Sequence, residues 1–281
     1  MTRRTAETCR SVHACALACL LACTRGPPAE PLGTKSEGQE HPNAAHRTES
    51  RDQRRLPSHE QRTAAGLVYV ERVSGGANVD ERLPLIVAIH GLGDEPAGFA
   101  GLVVDLPAPA RIVLPRAPDP YDEGWSWFPV RARDGEVTAL ATGIRDAADR
   151  LAAMIVEISA TRPVIGKAIV TGFSQGGMLA FTLAVHHPEV VEIAIPVGGW
   201  LPPPLWPEVR PTTIPRIVAL HGETDPTVRF APTKASIEHL RALGWDATLR
   251  GYPGVKHAIS PQMRVDLHAL LAEAVNVTRG E

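Results

Sequence analysis

From about residue 64 onward, short uninterrupted apolar runs alternate with longer stretches in which apolar residues recur every three or four positions. The runs at 83–90, 110–114, 167–171, 191–197 and 216–220 have the character of strands covered on both faces. Residues 67–73 and 247–252 read as further strands, the first followed by the turn signal Ser74-Gly75-Gly76-Ala77-Asn78. Helical spacing occupies 97–104, 138–160, 176–187 and 233–243. In the longest of these, Leu140, Ile144, Ala147, Leu151, Met154, Ile155 and Ile158 make one apolar stripe, which predicts core packing rather than a cofactor site. Strand and helix in alternation predict an α/β fold: a mainly parallel sheet with helices on both faces and no large cap domain. Sheets of this kind place their ligands at the carboxyl ends of the strands.

Before residue 64 the pattern changes. Residues 1–23 carry arginines at positions 3, 4 and 10, then a modest apolar stretch that ends Leu20-Leu21-Ala22-Cys23. That stretch is too short for a permanent membrane helix and has the proportions of a signal-peptide core. Leu-Leu-Ala-Cys resembles the lipobox of bacterial lipoproteins. The resemblance implies a lipid on Cys23 and an exported protein anchored to a membrane of the bacterial cell envelope. The alternative is cleavage after Ala16-Leu17-Ala18, which leaves a very short apolar core at 11–18. Residues 24–63 are rich in Pro, Gly, Glu, Arg and Gln with almost no large apolar side chain, so they are expected to form a disordered tether. One folded domain is therefore predicted over 64–281.

Composition narrows the chemistry. The four cysteines, at 9, 15, 19 and 23, all lie in the leader, so the expected domain offers no disulfide framework, thiolate metal site or cysteine nucleophile. Residues 1–62 hold 10 of the 29 basic and 7 of the 31 acidic residues, which leaves the remainder at a formal charge of −5. A mildly acidic domain without a basic run argues against nucleic-acid binding. Neither a dinucleotide fingerprint nor a Walker loop is present, so no nucleotide cofactor is implied and none of any kind is expected.

Four segments that follow apolar runs carry candidate chemistry. Gly172-Phe173-Ser174-Gln175-Gly176-Gly177 lies between a β-branched run and a helical pattern, the order of a serine-hydrolase nucleophile elbow. Side chains at Gly172 and Gly176 would collide with neighbouring backbone, and the sharp turn lifts Ser174 Oγ above the sheet. His90-Gly91-Leu92-Gly93-Asp94 supplies a glycine-flanked loop, and the N–H groups of Leu92 and Gln175 are the expected donors to an oxyanion. A plain tight turn is the alternative for that loop. His221-Gly222-Glu223-Thr224-Asp225 offers Asp225 as the carboxylate that orients a base, with Glu223 as its competitor. Tyr252-Pro253-Gly254-Val255-Lys256-His257 offers His257 as the base, giving the order serine, acid, histidine. His90 and His221 are expected to hold loop backbone. His186 and His187 suit a helix end, and His239 and His268 fall in helical patterns.

With these residues in view, the region from about 83 to 259 resembles the phospholipase/carboxylesterase family of α/β hydrolases, which includes acyl-protein thioesterases. The resemblance implies Ser174 as nucleophile, Asp225 as acid, His257 as base and Leu92 and Gln175 as oxyanion donors. Ser126-Trp127-Phe128 corresponds to a Ser-Trp-Phe motif of that family, except that Pro129 stands where an acidic residue is usual. Trp127, Phe128 and Trp200 are accordingly expected to line an apolar substrate pocket, with sheet capping as the alternative. The implied activity is a serine-dependent carboxylic-ester hydrolase acting on small or short-chain esters. Thioesterase, lysophospholipase and feruloyl-type esterase activities share this machinery, and a non-catalytic binding protein on the same scaffold is the reading from another class.

Overall fold

The computed structural model describes residues 61–129 and 136–280. The expected leader at 1–23, its cysteines including Cys23, and the tether as far as residue 60 lie outside the described residues. In chain order the elements are β1 (Gln61–Ala64), β2 (Leu67–Val73), β3 (Leu83–Ile89), α1 (Pro96–Ala100), β4 (Arg111–Pro115), β5 (Asp119–Tyr121), β6 (Gly124–Ser126) and α2 (Val137–Thr161). They continue with β7 (Val164–Phe173), α3 (Gln175–His186), β8 (Val191–Val197), β9 (Arg216–Gly222), α4 (Phe230–Ala242), β10 (Ala247–Tyr252) and α5 (Pro261–Arg279).

Eight strands form one sheet in the order β1-β2-β4-β3-β7-β8-β9-β10. The six from β4 to β10 are parallel, and β2 and β1 add an antiparallel edge. Successive residues of β3 explain its unbroken apolar run. Leu85, Val87 and Ile89 face the core beneath α2, α3 and α4, while Ile86 and Ala88 face the core beneath α1 and α5. Helix α3 is buried at every position from Gln175 to Val185, which an apolar circumference permits only where the sheet and other elements enclose it. The predicted α/β architecture with helices on both faces is the one observed.

Several boundaries move for identifiable reasons. The expected tether does not run to residue 63, because Gln61–Ala64 pairs with β2 from Gln61↔Val70 to Ala64↔Leu67. The positive φ of Ala65 (47°) and Gly66 (75°) makes the tight hairpin turn that recruits this mostly exposed, polar segment. Helix α1 stops at Ala100 instead of 104, with Gly101 as its C-cap and turn bonds from Leu102 and Val103 continuing the chain. The hairpin β5–β6 places Pro120 in a strand of a separate two-stranded sheet.

Helix α5 buries Met263, Leu267, Leu270, Leu271, Ala274 and Val275 against the second core, and Ser260 Oγ caps it by accepting from the Met263 N–H at 3.2 Å. At the sheet edge the buried Glu71 carboxylate receives Arg111 together with Arg62 and Arg162, tying β2, β4, the β1 edge and the end of α2.

Candidate active site

Strand β7 ends at Phe173, and the chain turns into α3 through Ser174, whose φ of 56° and ψ of −113° lie outside the regions open to ordinary residues. Such a conformation costs on the order of 1–3 kcal/mol and persists only where its surroundings determine it. Here the Ser174 N–H donates to Val197 O at 3.0 Å, and Ser174 O accepts from the Met178 N–H at 3.0 Å. The glycines make the turn possible. A Cβ on Gly172 would lie 2.5 Å from Gly176 O, and one on Gly176 would drive into the Ile89 carbonyl.

Two loops from the sheet's parallel half meet this serine. His257, in the loop beyond β10, has Nε2 3.0 Å from Ser174 Oγ and Nδ1 2.6 Å from Asp225 Oδ2. Asp225, beyond β9, has its side chain almost wholly buried, and its Oδ1 accepts the N–H groups of Thr227 (2.8 Å) and Val228 (2.9 Å). With Oδ2 accepting from His257 Nδ1–H, the tautomer leaves Nε2 free to accept the serine proton. Glu223, the competing carboxylate, is exposed and its Oε1 approaches Gly251 instead.

His221 holds backbone, as expected, and lies beside the acid. Its Nε2 donates to Val228 O at 2.7 Å and sits 3.5 Å from Asp225 Oδ2, while Thr233 Oγ1 lies 3.0 Å from Nδ1 and 2.9 Å from Gly199 O. Burial pushes the His221 pKa below its usual value.

The loop after β3 flanks Ser174 on its other side. A Cβ on Gly91 would lie 3.4 Å from Ser174 Cβ, which puts the residue before Leu92 against the serine. Among the described residues, the N–H groups of Leu92 and Gln175 carry no turn or loop hydrogen bond. His90 is fully buried; its Nδ1–H donates to Gly91 O at 2.7 Å and its Nε2 accepts the Ala117 N–H at 3.1 Å.

Burial lowers the His90 pKa to about 4. In the unfolded chain the imidazole takes up a proton near pH 6.5, whereas the folded one does so only near 4, so stability is present above 6.5 and drains away as pH falls through that window. His186, also at about 4, acts in the same direction. Denaturant unfolding is expected to show a loss on the order of 3 kcal/mol from His90 between pH 6.5 and 4. A slope across that window that is the same in His90→Gln would contradict the assignment.

The aromatic residues require a correction. Trp127 and Phe128 are only 3% and 2% exposed, and both rings belong to the core beneath α2 rather than to a pocket wall at Ser174. The reason is polar as well as apolar: the Trp127 indole N–H finds its acceptor inside the fold, at His90 O, 2.9 Å away. A cavity of about 180 Å³ does adjoin these two rings, with Leu67, Gly143, Ala147 and Arg150 among its other walls, but Ser174, Asp225 and His257 do not line it.

Trp200 remains partly exposed, two residues beyond Gly198, where an added Cβ would lie 3.8 Å from His257 Cε1. Sequence reasoning missed Phe173, whose ring packs at 4.7 Å against the His257 imidazole. Its position next to the nucleophile was the available signal.

Comparison with known proteins places the chain in a family. The model of the family described as Phospholipase/Carboxylesterase matches residues 77–274. The chain belongs to that family. It is 26% identical over 207 residues to acyl-protein thioesterase 1 of Gibberella zeae, covering 66% of this chain and 88% of that protein. It is also 26% identical over 216 residues to acyl-protein thioesterase 1 of Mycosarcoma maydis, covering 66% and 89%. Among solved structures, esterase PE8 superposes with a TM-score of 0.60 at 25% identity over 72% of this chain and 99% of its own. Zea mays acyl-protein thioesterase 2 shares the fold with a TM-score of 0.57 at 23% identity, covering 73% and 98%.

Proposed function

We propose that this family member is a cofactor-independent serine carboxylesterase in which Ser174, His257 and Asp225 form the catalytic triad. The observation that supports it most is the continuous chain from Ser174 Oγ through His257 to Asp225, at 3.0 and 2.6 Å. His257 Nε2 takes the proton as Ser174 Oγ bonds to the acyl carbon, and Asp225 stabilises the imidazolium. The negative charge moves to the carbonyl oxygen, where the N–H groups of Leu92 and Gln175 receive it. Collapse of the tetrahedral intermediate expels the alcohol, protonated by His257, and water then releases the acid by the same steps in reverse.

Small, short-chain esters are the proposed substrates. Around the serine the described chain offers short loops, and the cavity beside Trp127 and Phe128 is not lined by Ser174. A series of aryl esters from acetate to palmitate is expected to give kcat/KM values that peak among the short acyl chains. A steady rise to palmitate would overturn the preference. The relatives named acyl-protein thioesterases support a second reading, thioester cleavage at the same serine, and matched oxygen and sulfur esters separate the two.

Export is proposed on the leader, where Arg3, Arg4 and Arg10 precede an apolar stretch ending in Ala22-Cys23. A lipid on Cys23 would hold the protein at a membrane of the bacterial cell envelope. Intact-mass analysis of membrane-extracted protein is expected to find a diacylated N-terminal Cys23, and Cys23→Ser should release the protein into the soluble fraction. An unlipidated mature chain starting after Ala18 would refute the anchor.

A further inference from the structure

The two N–H groups that would receive the oxyanion sit on separate elements, one at the first turn of α3 and the other in the loop after β3. Preorganised donors act only if both converge where the charge forms, about 3 Å from each. A displacement of an ångström forfeits much of their effect. Backbone pairing joins β3 to β7 as far as Ile89↔Gly172, and beyond it one buried side chain, Trp127, spans the two segments.

Trp127 engages both halves. Its backbone N–H donates to Gln175 Oε1 at 3.0 Å, while Gln175 Nε2 donates to Phe128 O at 3.0 Å, so the Gln175 amide is held at both ends by the 127–128 segment. Its indole N–H donates to His90 O at 2.9 Å, and the indole packs against the His90 imidazole with centroids 5.3 Å apart.

His90 completes the connection. Its Nδ1–H grips Gly91 O at 2.7 Å, and that carbonyl shares a rigid planar peptide with the Leu92 N–H. In a trans peptide the two groups point in opposite directions, so fixing Gly91 O fixes where the Leu92 N–H aims. The Ala117 N–H, donating to His90 Nε2 at 3.1 Å, holds the tautomer that keeps the proton on Nδ1.

We propose that Trp127 is a positioning residue for the oxyanion site, a strut that sets the Leu92 donor against the Gln175 donor through His90 and the Gln175 side chain. The inference rests on the serine-esterase reading and gives a role to a Trp that is buried and bonded to both Gln175 and His90. Removing the strut should weaken what the transition state feels and leave ground-state binding nearly alone.

Two variants test it in the full-length protein. Trp127→Phe keeps an aromatic ring and the backbone N–H but deletes the indole donor to His90. Gln175→Met keeps the volume and the α3 N–H but deletes both side-chain bonds to 127–128. The expected result for each is a fall in kcat on the order of ten- to hundredfold, with KM changed less than about twofold. Affinity for a trifluoromethyl ketone, which binds as an oxyanion adduct, should fall by the same factor while the acid limb of the pH–rate profile stays in place.

Folded variants that keep wild-type kcat, or lose kcat without losing affinity for the ketone, would overturn the proposal. If Trp127→Phe fails to fold, the same two outcomes are read from Gln175→Met alone. An active wild type with undiminished variants defeats this inference by itself, whereas a wild type inactive on every ester defeats the esterase reading and this one together.

Discussion

Asp225→Asn is expected to lower kcat on short-chain esters by about four orders of magnitude without unfolding the protein. The surroundings of this carboxylate dictate the outcome. Oδ1 accepts two backbone N–H groups, from Thr227 and Val228, so the asparagine oxygen must occupy that position and its NH2 must take the place of Oδ2. The NH2 then faces His257 Nδ1, 2.6 Å away in the parent, and a donor there forces Nδ1 to become an acceptor. The imidazole proton moves to Nε2, the nitrogen that should receive the proton of Ser174 Oγ. A base in the wrong tautomer cannot act. Steady-state kinetics on a soluble aryl ester, alongside circular dichroism, make the check, and a loss of less than tenfold would show that Asp225 is not the group that sets the base.

Ser174→Ala is expected to reduce kcat/KM by on the order of a thousandfold or more, leaving the residual rate that oxyanion donors and substrate positioning supply to attack by water. The variant should also be at least as stable as the parent. Alanine relieves none of the positive φ of 56°, but it removes a hydroxyl that is held for chemistry, and the bonds that fix the turn run through backbone atoms. A thermal unfolding midpoint equal to or above that of the parent, together with the kinetic loss, would separate a chemical role for Ser174 from a structural one. A variant that unfolds in parallel with its loss of rate would argue for the structural role.

Much of the architecture was legible in the apolar pattern because the sheet is covered on both faces. Residues 191–197 of β8 and 247–252 of β10 have the predicted bounds; β8 is buried at every position but Glu192, whereas β10, at the sheet edge, is buried only at Ala247 and Tyr252. Strand β1 was not legible: three of its four residues are exposed, and the segment becomes a strand only because the Ala65-Gly66 turn lays it against β2. Helix α5 could have been read from Ser260-Pro261 and the spacing of Met263, Leu267, Leu270, Leu271 and Ala274.

At the site, Ser174, Asp225 and His257 were nameable because the chemistry restricts both their types and their order along the chain. Their convergence depends on strand ends that bring residues 83 and 32 positions apart into contact. Trp127 misled for the opposite reason. A tryptophan beside a nucleophile reads the same whether it faces substrate or braces the fold, and the partners that decide it, His90 and Gln175, lie 37 and 48 residues away.

The central claim is that Ser174 is the activated nucleophile of an ester-cleaving site, and covalent labelling addresses it most directly. Folded full-length protein treated with an alkyl fluorophosphonate should gain the mass of one adduct, peptide mapping should place it on Ser174, and His257→Ala should label far more slowly. Stoichiometric labelling at another residue, or folded protein that hydrolyses esters yet stays unmodified, would contradict the account.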